Sequence, residues 1–193
     1  YRGLPGLLKS FQAQHPRLRL TLKELSSSDQ LIELAHERLD LGFVHTTRVP
    51  PGLSQILVAS QPFVACLPSG HALAGQGRVS LLALKGEPMA CVSRGVSADY
   101  HERIVALCTE AGFTPEIRYE LRHWLSVVSL VSQGLGVALV PQALQLSALP
   151  GTTFVPLDAA TVPYDTYCLW KKARDHPALV AFIEAVQAVE TEP

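Results

Sequence analysis

The feature that most constrains the fold of this sequence is a hydrophobic spacing that switches between the period of a helix and that of a strand. Apolar residues over 4–11 recur at i, i+3, i+4 and i+7, which predicts an amphipathic helix that ends before Pro16. Residues 17–23 alternate polar and apolar, which predicts a strand with one buried face. A helix to about Glu37 and a buried strand over 39–44 follow. Strands that alternate with helices predict an α/β fold with parallel strands and crossover helices.

The same alternation continues to the last helix. Further strands are predicted at residues 55–58, 62–67, 89–92, 117–121, 137–140 and 166–170. Further helices are predicted near residues 99–111, 125–132, 141–146 and 179–186. Because the pattern is interrupted near Pro68 and Pro163, we expect two α/β lobes. We expect the last strand and helix to return to the first lobe. Lobe I would then comprise residues 1–67 and 166–193, and lobe II residues 68–165.

The charge balance argues against direct binding of nucleic acid. The chain has 16 Lys and Arg against 17 Asp and Glu, whereas DNA-binding surfaces are strongly basic. No apolar segment approaches the roughly 20 residues of a membrane span, so no membrane partner is expected. Residues 1–11 lack the features of a signal peptide, which favours the cytoplasm. The four cysteines are far apart and lack a C-x-x-C pair, which favours small buried hydrophobic side chains.

A search for catalytic or metal-binding motifs finds none. His101-Glu102 begins like the zinc motif H-E-x-x-H, but Val105 occupies the place of the second histidine. Gly134 and Gly136 lack the third glycine of a dinucleotide site. No nucleophile elbow and no P-loop occur. The sequence therefore predicts no catalytic group, no metal and no cofactor, and the chain is not expected to be an enzyme.

Polar clusters occur at the ends of predicted strands and the starts of predicted helices, at residues 26–29, 45–47 and 93–100. In α/β folds ligands bind at the carboxyl ends of strands, and helix N-termini favour a carboxylate. A plain helix cap explains Ser27 equally well. Asp29 would repel an anionic ligand. Three such clusters at equivalent places favour ligand binding.

Several runs of the sequence resemble the effector-binding domain of LysR-type transcription regulators, in order and over nearly the whole chain. They are LPGLLKSF at 4–11 with His15-Pro16, ELSSSDQ at 24–30, LDLGF at 39–43, LPSGHALA at 67–74, VSQGLGVALVP at 131–141 and His176-Pro177-Ala178.

The resemblance implies a periplasmic-binding-protein type 2-like fold, with two Rossmann-like lobes joined by two crossover strands. It implies a ligand-sensing domain that binds a small effector, an aromatic or unsaturated carboxylate, in the cleft between the lobes. Promoter DNA would be contacted only through an N-terminal winged helix-turn-helix domain. That domain and the usual first strand of lobe I would lie upstream of Tyr1. Family members also self-associate, as dimers and, at full length, as tetramers.

The resemblance and the polar clusters together give seven candidate ligand-binding residues. They are Ser26, Ser27, His45, Thr46, Ser93, Arg94 and Tyr100. Ser27 matches a hydroxyl position that binds effector carboxylates, and Tyr100 falls where relatives place an aromatic wall. His45 matches a position that is basic in some relatives. Arg94 is the candidate counter-charge, although a solvated surface arginine is an equally good interpretation.

The segment at 108–112 resembles part of a peroxide-sensing branch of the family, but the place of its partner cysteine falls near Asp99, so thiol sensing is rejected.

Two other functions remain open. An extracytoplasmic solute-binding protein of the same fold is the main alternative. An enzyme on a similar two-lobed fold is less favoured, because no nucleophile or metal set was found.

Overall fold

The computed structural model describes residues 3–46, 48–158, 163–173 and 176–190, with side chains described as far as residue 188. The helices are α1 Leu4–Gln14, α2 Ser27–Ala35, α3 Ala98–Glu110, α4 Trp124–Ser132 and α5 Pro177–Glu190. The strands are β1 Leu41–His45, β2 Leu53–Gln61, β3 Phe63–Pro68, β4 Pro88–Val92, β5 Glu116–Leu121, β6 Ala138–Pro141, β7 Thr152–Pro156 and β8 Tyr164–Lys171. No described helix is both long and apolar enough to cross a membrane.

The chain divides into two compact units. Unit 1 comprises Tyr1–Ser60 and Asp165–Pro193, and unit 2 comprises Gln61–Tyr164. Unit 2 begins before β3, whereas the sequence predicts a boundary after Leu67. The reason is that β3 pairs with β6 and β7, both of which belong to unit 2.

Unit 1 is built on a three-stranded sheet of order β1-β8-β2, with β8 antiparallel to β1. Side chains alternate between the two faces of a strand, so the sheet separates two hydrophobic clusters. The α1–α5 cluster consists of Leu7, Phe11, Val58, Cys168, Phe182 and Val186. The α2 cluster consists of Leu34, Val44, Leu53 and Leu169. Each face of the sheet is therefore covered by different helices.

Unit 2 has a single continuous core. Its sheets are the antiparallel β6-β3-β7 and the parallel pair β4-β5. An isolated bridge between Met89 and Val137 brings β4 beside β6. Gly136 permits this approach, because a Cβ there would lie 2.3 Å from the carbonyl oxygen of Pro88.

One predicted strand is wrong. Residues 18–26 are neither helix nor strand, and Leu20 and Leu22 are 39% and 70% exposed. An alternating pattern gives a segment one apolar face, but it does not provide a second strand with which the backbone can pair. Without a backbone partner a strand leaves its amides and carbonyls unpaired.

Other elements differ in detail from the sequence predictions. The strands are not uniformly parallel: β8 runs antiparallel to β1, and β3 runs antiparallel to β6 and β7. The predicted helix at 141–146 is a 3-10 helix at Gln142–Ser147. Strand β7 was not predicted, although threonine, phenylalanine and valine are enriched in strands.

The four cysteines are buried and free, as the sequence predicted. Burial raises the pKa of Cys66, Cys108 and Cys168 to about 12 and that of Cys91 to about 11. The thiols are therefore protonated at neutral pH and pack as apolar side chains.

Candidate functional site

The N-terminus of α2 is capped by Ser26, not by Ser27. The Ser26 hydroxyl accepts a hydrogen bond from the backbone N–H of Asp29 at 3.0 Å. It also donates to Oδ2 of the same residue at 2.7 Å. Ser26 is thus committed to its own helix, and helix capping does not explain Ser27.

Ser27 is the first residue of α2, and its hydroxyl contacts the end of β1. The backbone N–H of His45 donates to Ser27 Oγ at 3.3 Å. No residue that the structure describes accepts the hydrogen of the Ser27 hydroxyl, and none accepts the backbone N–H of Ser27 or Ser28. The first amides of a helix lack intrahelical partners, and within the described part of the chain three donors at this helix start have no acceptor.

His45 ends β1 and lies directly opposite Thr166 of β8. The ring atom Nδ1 is 3.0 Å from Thr166 Oγ1 and 3.3 Å from the carbonyl oxygen of Asp165. Strand alternation puts the ring on the same face as Phe43, while the His45 amide meets Ser27 at the strand end. Burial lowers the pKa of His45 to about 4, so the ring is neutral at pH 7. His45 therefore supplies no counter-charge for an acidic ligand.

Thr46 is a buried polar residue that closes a local turn. Its hydroxyl donates to the carbonyl oxygen of Arg48 at 2.9 Å and accepts from the Arg48 backbone N–H at 3.2 Å. Thr47, which belonged to the same predicted polar cluster, lies outside the described residues.

In unit 2, Ser93 and Arg94 begin the loop between β4 and α3. The Ser93 carbonyl accepts hydrogen bonds from the backbone N–H groups of Val96 and Ser97 at 3.0 and 3.1 Å. The Arg94 guanidinium donates to Glu102 through Nη2 at 2.7 Å and through Nε at 3.2 Å. Both side chains are more than half exposed, so water screens this ion pair. Glu102 already partners the charge of Arg94.

Tyr100 lies in the core of unit 2. Its side chain is fully buried, and its hydroxyl donates to the carbonyl oxygen of Leu139 at 2.8 Å. The Trp124 ring packs against it edge-on, with centroids 4.6 Å apart. Burial raises the pKa of Tyr100 well above its ordinary value. The described structure thus assigns this ring a packing role.

The structure brings only some of the seven predicted residues together. Ser27 and His45 contact each other, and Thr166 and Asp165, which the sequence analysis missed, join them through the His45 ring. Thr166 is 3% exposed, and the available signal was a threonine at the start of the predicted strand at 166–170. Among the described residues, no group of three or more His, Cys, Asp or Glu side chains could hold a metal ion.

The family model described as the LysR substrate binding domain matches residues 2–190 of the chain. The chain belongs to this family. The sequence-based assignment is confirmed, and so is the periplasmic-binding-protein type 2-like fold that it implied.

Proteins similar to this chain include transcription regulators from several bacteria. The regulator AlsR of Bacillus subtilis (strain 168) is 26% identical over 191 residues, which cover 99% of the chain and 63% of AlsR. The uncharacterized regulator YnfL of Escherichia coli (strain K12) is 26% identical over 171 residues, 89% of the chain and 58% of YnfL. Both are described as HTH-type transcriptional regulators, and the chain spans 58% to 63% of their length.

Solved structures of this family share the fold. The effector binding domain of BenM with its effector benzoate superposes with a TM-score of 0.82 at 23% identity, covering 99% of this chain and 89% of that one. A full-length CbnR in complex with its target DNA superposes with a TM-score of 0.85 at 20% identity, covering 100% of this chain and 67% of that one. The C-terminal domain of a probable LysR family regulator from Rhodococcus sp. RHA1 superposes with a TM-score of 0.83 at 24% identity, covering 95% of this chain and 91% of that one.

Proposed function

We propose that this chain is the ligand-sensing domain of a LysR-type transcription regulator and that its effector is a small carboxylate bound at the start of α2. One observation carries the proposal. The Ser27 hydroxyl accepts from the His45 amide, so its own hydrogen remains available beside the N–H groups of Ser27 and Ser28. Regulators among the relatives and the benzoate of BenM support the same assignment.

The chemistry at this helix start suits an anion. An O–H···O⁻ hydrogen bond is roughly twice as strong as a neutral one, and the helix dipole adds about 0.3–1 kcal/mol near the first turn. Asp29 works against the anion, but its carboxylate already accepts from Ser26. Aromatic or unsaturated carboxylates remain the expected class.

The other candidate residues differ in how they could contact the ligand. Ser93 and Arg94 of unit 2 remain proposed contacts, and Arg94 would have to exchange Glu102 for the ligand. We leave Tyr100 out of the proposed contacts because its side chain is fully buried. Ser26 and Thr46 would act by shaping the backbone on either side of Ser27.

A thermal-shift and calorimetric comparison tests the carboxylate site. Benzoate should raise the melting temperature in proportion to ln(1 + [L]/Kd), whereas uncharged benzamide should not. Ser27→Ala should weaken benzoate binding by roughly tenfold to hundredfold, because a hydrogen bond to a charged group contributes about 1.5–3 kcal/mol. Ser27→Thr should retain binding. Ser10→Ala, an exposed serine in α1, is the matched control. Stabilisation by cations or sugars alone would refute the carboxylate assignment.

The whole protein's role is part of the proposal. A segment with a winged helix-turn-helix would contact promoter DNA in the cytoplasm, and effector binding would favour one arrangement of a self-associated assembly. We infer that the chain senses and does not catalyse, because the relatives are regulators. The solute-binding alternative is not favoured by any of these relatives. DNase footprinting of the full-length protein on its own promoter, with and without the carboxylate, should show a changed protection pattern.

A further inference from the structure

Strand β2 lies at an edge of the unit 1 sheet, whose order is β1-β8-β2. One side of its backbone therefore has no strand beside it among the described residues. Proteins protect such edges with short strands, charged side chains or proline, because an open edge can pair with another chain. Strand β2 has nine residues, LSQILVASQ, none of which is charged and none of which is proline. It therefore lacks each of these three defences.

The other edge strands that the structure describes do show these defences. Strands β1, β6 and β7 are short, with five, four and five residues. Strand β5 has six residues, and three of them, Glu116, Arg118 and Glu120, are charged. Strand β4 has β5 on one side and the bridge to Val137 on the other. The open edge of β2 is thus a distinctive feature of unit 1.

Two contacts between β2 and β8 give the direction and register of their pairing. At the start of β2, the backbone N–H of Lys172 donates to the carbonyl oxygen of Gly52 at 3.1 Å. At its end, the Ser60 hydroxyl donates to the Asp165 carboxylate at 2.7 Å. The start of β2 thus lies beside the end of β8, so the two strands are antiparallel. In an antiparallel pair every second residue is hydrogen-bonded to the neighbouring strand, and the count begins here at Gly52.

The residues between these hydrogen-bonded positions turn their backbone groups towards the open edge. They are Gln55, Leu57 and Ala59. Outside the sheet, no residue in the described part of the chain donates to or accepts from their backbone. A groove of about 600 Å³ is lined in part by residues 52–56, so the space beside the strand is open there. Leu57, at the centre of the strand, is 45% exposed.

The sequence of β2 is nearly symmetric about Leu57. In an antiparallel pair of two copies with Leu57 opposite Leu57, Ile56 lies opposite Val58 and Ser54 lies opposite Ser60. Ile56 and Val58 belong to the α1–α5 cluster, so their pairing continues an apolar face from one copy to the other. The two Leu57 side chains cover each other on the opposite face. The strand is therefore complementary to a second copy of itself, as a two-fold interface requires.

We propose that β2 is an interface between two copies of this chain, which pair antiparallel about Leu57 and join their three-stranded sheets into one. The backbone groups of Gln55, Leu57 and Ala59 form the hydrogen bonds of the new ladder. The absence of charge in β2 removes repulsion between the two strands. This inference goes beyond the proposed function, because neither the ligand nor the residues around Ser27 take part in the pairing.

Sedimentation equilibrium tests whether the pair forms and whether it uses β2. The mean mass of the wild-type chain should rise from one copy to two as its concentration increases. Leu57→Lys should raise the dissociation constant roughly tenfold to hundredfold, because leucine burial is lost and two like charges lie opposite each other. Leu82→Lys, at a 51% exposed site in unit 2, is the matched control and should leave the constant unchanged. A wild-type chain that stays monomeric at millimolar concentration overturns the proposal, and so does a dimer that Leu57→Lys leaves intact.

Opposite charges at one position test the register. Because Leu57 lies opposite its own copy, a mixture of Leu57→Lys and Leu57→Glu should associate more tightly than either variant alone. Equal association of the mixture and of the separate variants would contradict a pairing about Leu57.

Oxidative crosslinking tests the same register without a charge. The four native cysteines are buried, so Leu57→Cys adds an exposed thiol that can be oxidised selectively. Opposite residues lie about 5.5 Å apart between Cα atoms, within the reach of a disulfide, so mild oxidation should link two copies. The two copies of Gln55→Cys would lie about 14 Å apart and should not be linked. A disulfide at 55 without one at 57 overturns the proposed pairing, and this assay decides even if Leu57→Lys fails to fold.

The outcomes separate this interface from the carboxylate site. A chain that binds benzoate but does not pair through β2 retains the proposed function and refutes the interface. A chain that pairs through β2 but binds no carboxylate supports the interface and refutes the proposed ligand.

Discussion

The two units of the molecule differ in how their buried apolar side chains are arranged. Among the described residues, unit 2 gathers 27 buried side chains into one core, whereas the sheet of unit 1 separates two clusters of six and four. The hydrogen-bonded group around His45 lies in unit 1. Stability is not uniform across a structure, and regions with fewer buried apolar contacts open at lower free energy. We therefore expect unit 2 to be the stable part and unit 1 the part that a bound effector stabilises.

The chain contains its own reporters for this comparison. It has two tryptophans, and each unit contains one. Trp170 packs against the α1–α5 cluster of unit 1, and Trp124 packs against the core of unit 2. Denaturation of Trp124→Phe and Trp170→Phe followed by fluorescence therefore reports the two units separately.

The largest expected effect is that of Phe11→Ala in unit 1. Phe11 is 2% exposed and packs edge-on against Phe182 at 4.9 Å. Its truncation should lower the free energy of unfolding by about 3–5 kcal/mol. The unfolding midpoint reported by Trp170 should fall, while that reported by Trp124 should stay in place. Lys9→Ala, at an exposed site in the same helix, is the control. Equal movement of both midpoints would show that the units unfold as one.

The corresponding change in unit 2 is Gly136→Ala. The new methyl group would lie 2.3 Å from the Pro88 carbonyl oxygen, so β4 and β6 must separate. We expect a loss of about 3 kcal/mol, reported by Trp124, from overpacking against backbone. Gly70→Ala, which meets nothing within 4 Å, should leave the midpoint unchanged. A loss seen only by Trp170 would contradict the assignment of this bridge to the unit 2 core.

Acid should weaken unit 1 selectively. The pKa of His45 is lowered to about 4 in the folded state, against an ordinary value of 6.5. Below pH 6.5 the unfolded chain binds a proton that the folded ring does not, so stability falls as pH drops towards 4. Between pH 7 and pH 5 the loss is about 2 kcal/mol, read from Trp170 in urea titrations. His45→Gln, which does not titrate, should remove this part of the pH dependence. An unchanged slope in that variant would exclude His45 as the origin.

The smallest effect concerns the hydroxyl of Tyr100. Tyr100→Phe keeps the ring and its packing on Trp124 but removes the hydrogen bond to the Leu139 carbonyl. We expect a loss of about 1 kcal/mol in unit 2 and no change in effector affinity. A large loss of affinity with unchanged stability would instead restore Tyr100 to the ligand site.

The sequence predicted the helices well, because their apolar stripes are local. The sequence analysis placed Tyr100 among the candidate ligand contacts, although Tyr100, Ile104 and Cys108 follow the four-residue spacing of one helix face, which is also typical of the core. The neutral state of His45 could not be predicted. It depends on burial and on partners 120 and 121 residues away in the chain. The failed strand at 17–23 shows the same limit, since a pairing partner is not a local property.

The strand order of unit 1 has a consequence for biosynthesis. The strand between β1 and β2 is β8, which follows the whole of unit 2 in the chain. The ribosome extends the chain at about 5–20 residues per second, so β8 is synthesised several seconds after β1 and β2. Unit 2, a contiguous segment, can complete its core during this interval. Unit 2 should therefore fold first, and unit 1 should be completed last.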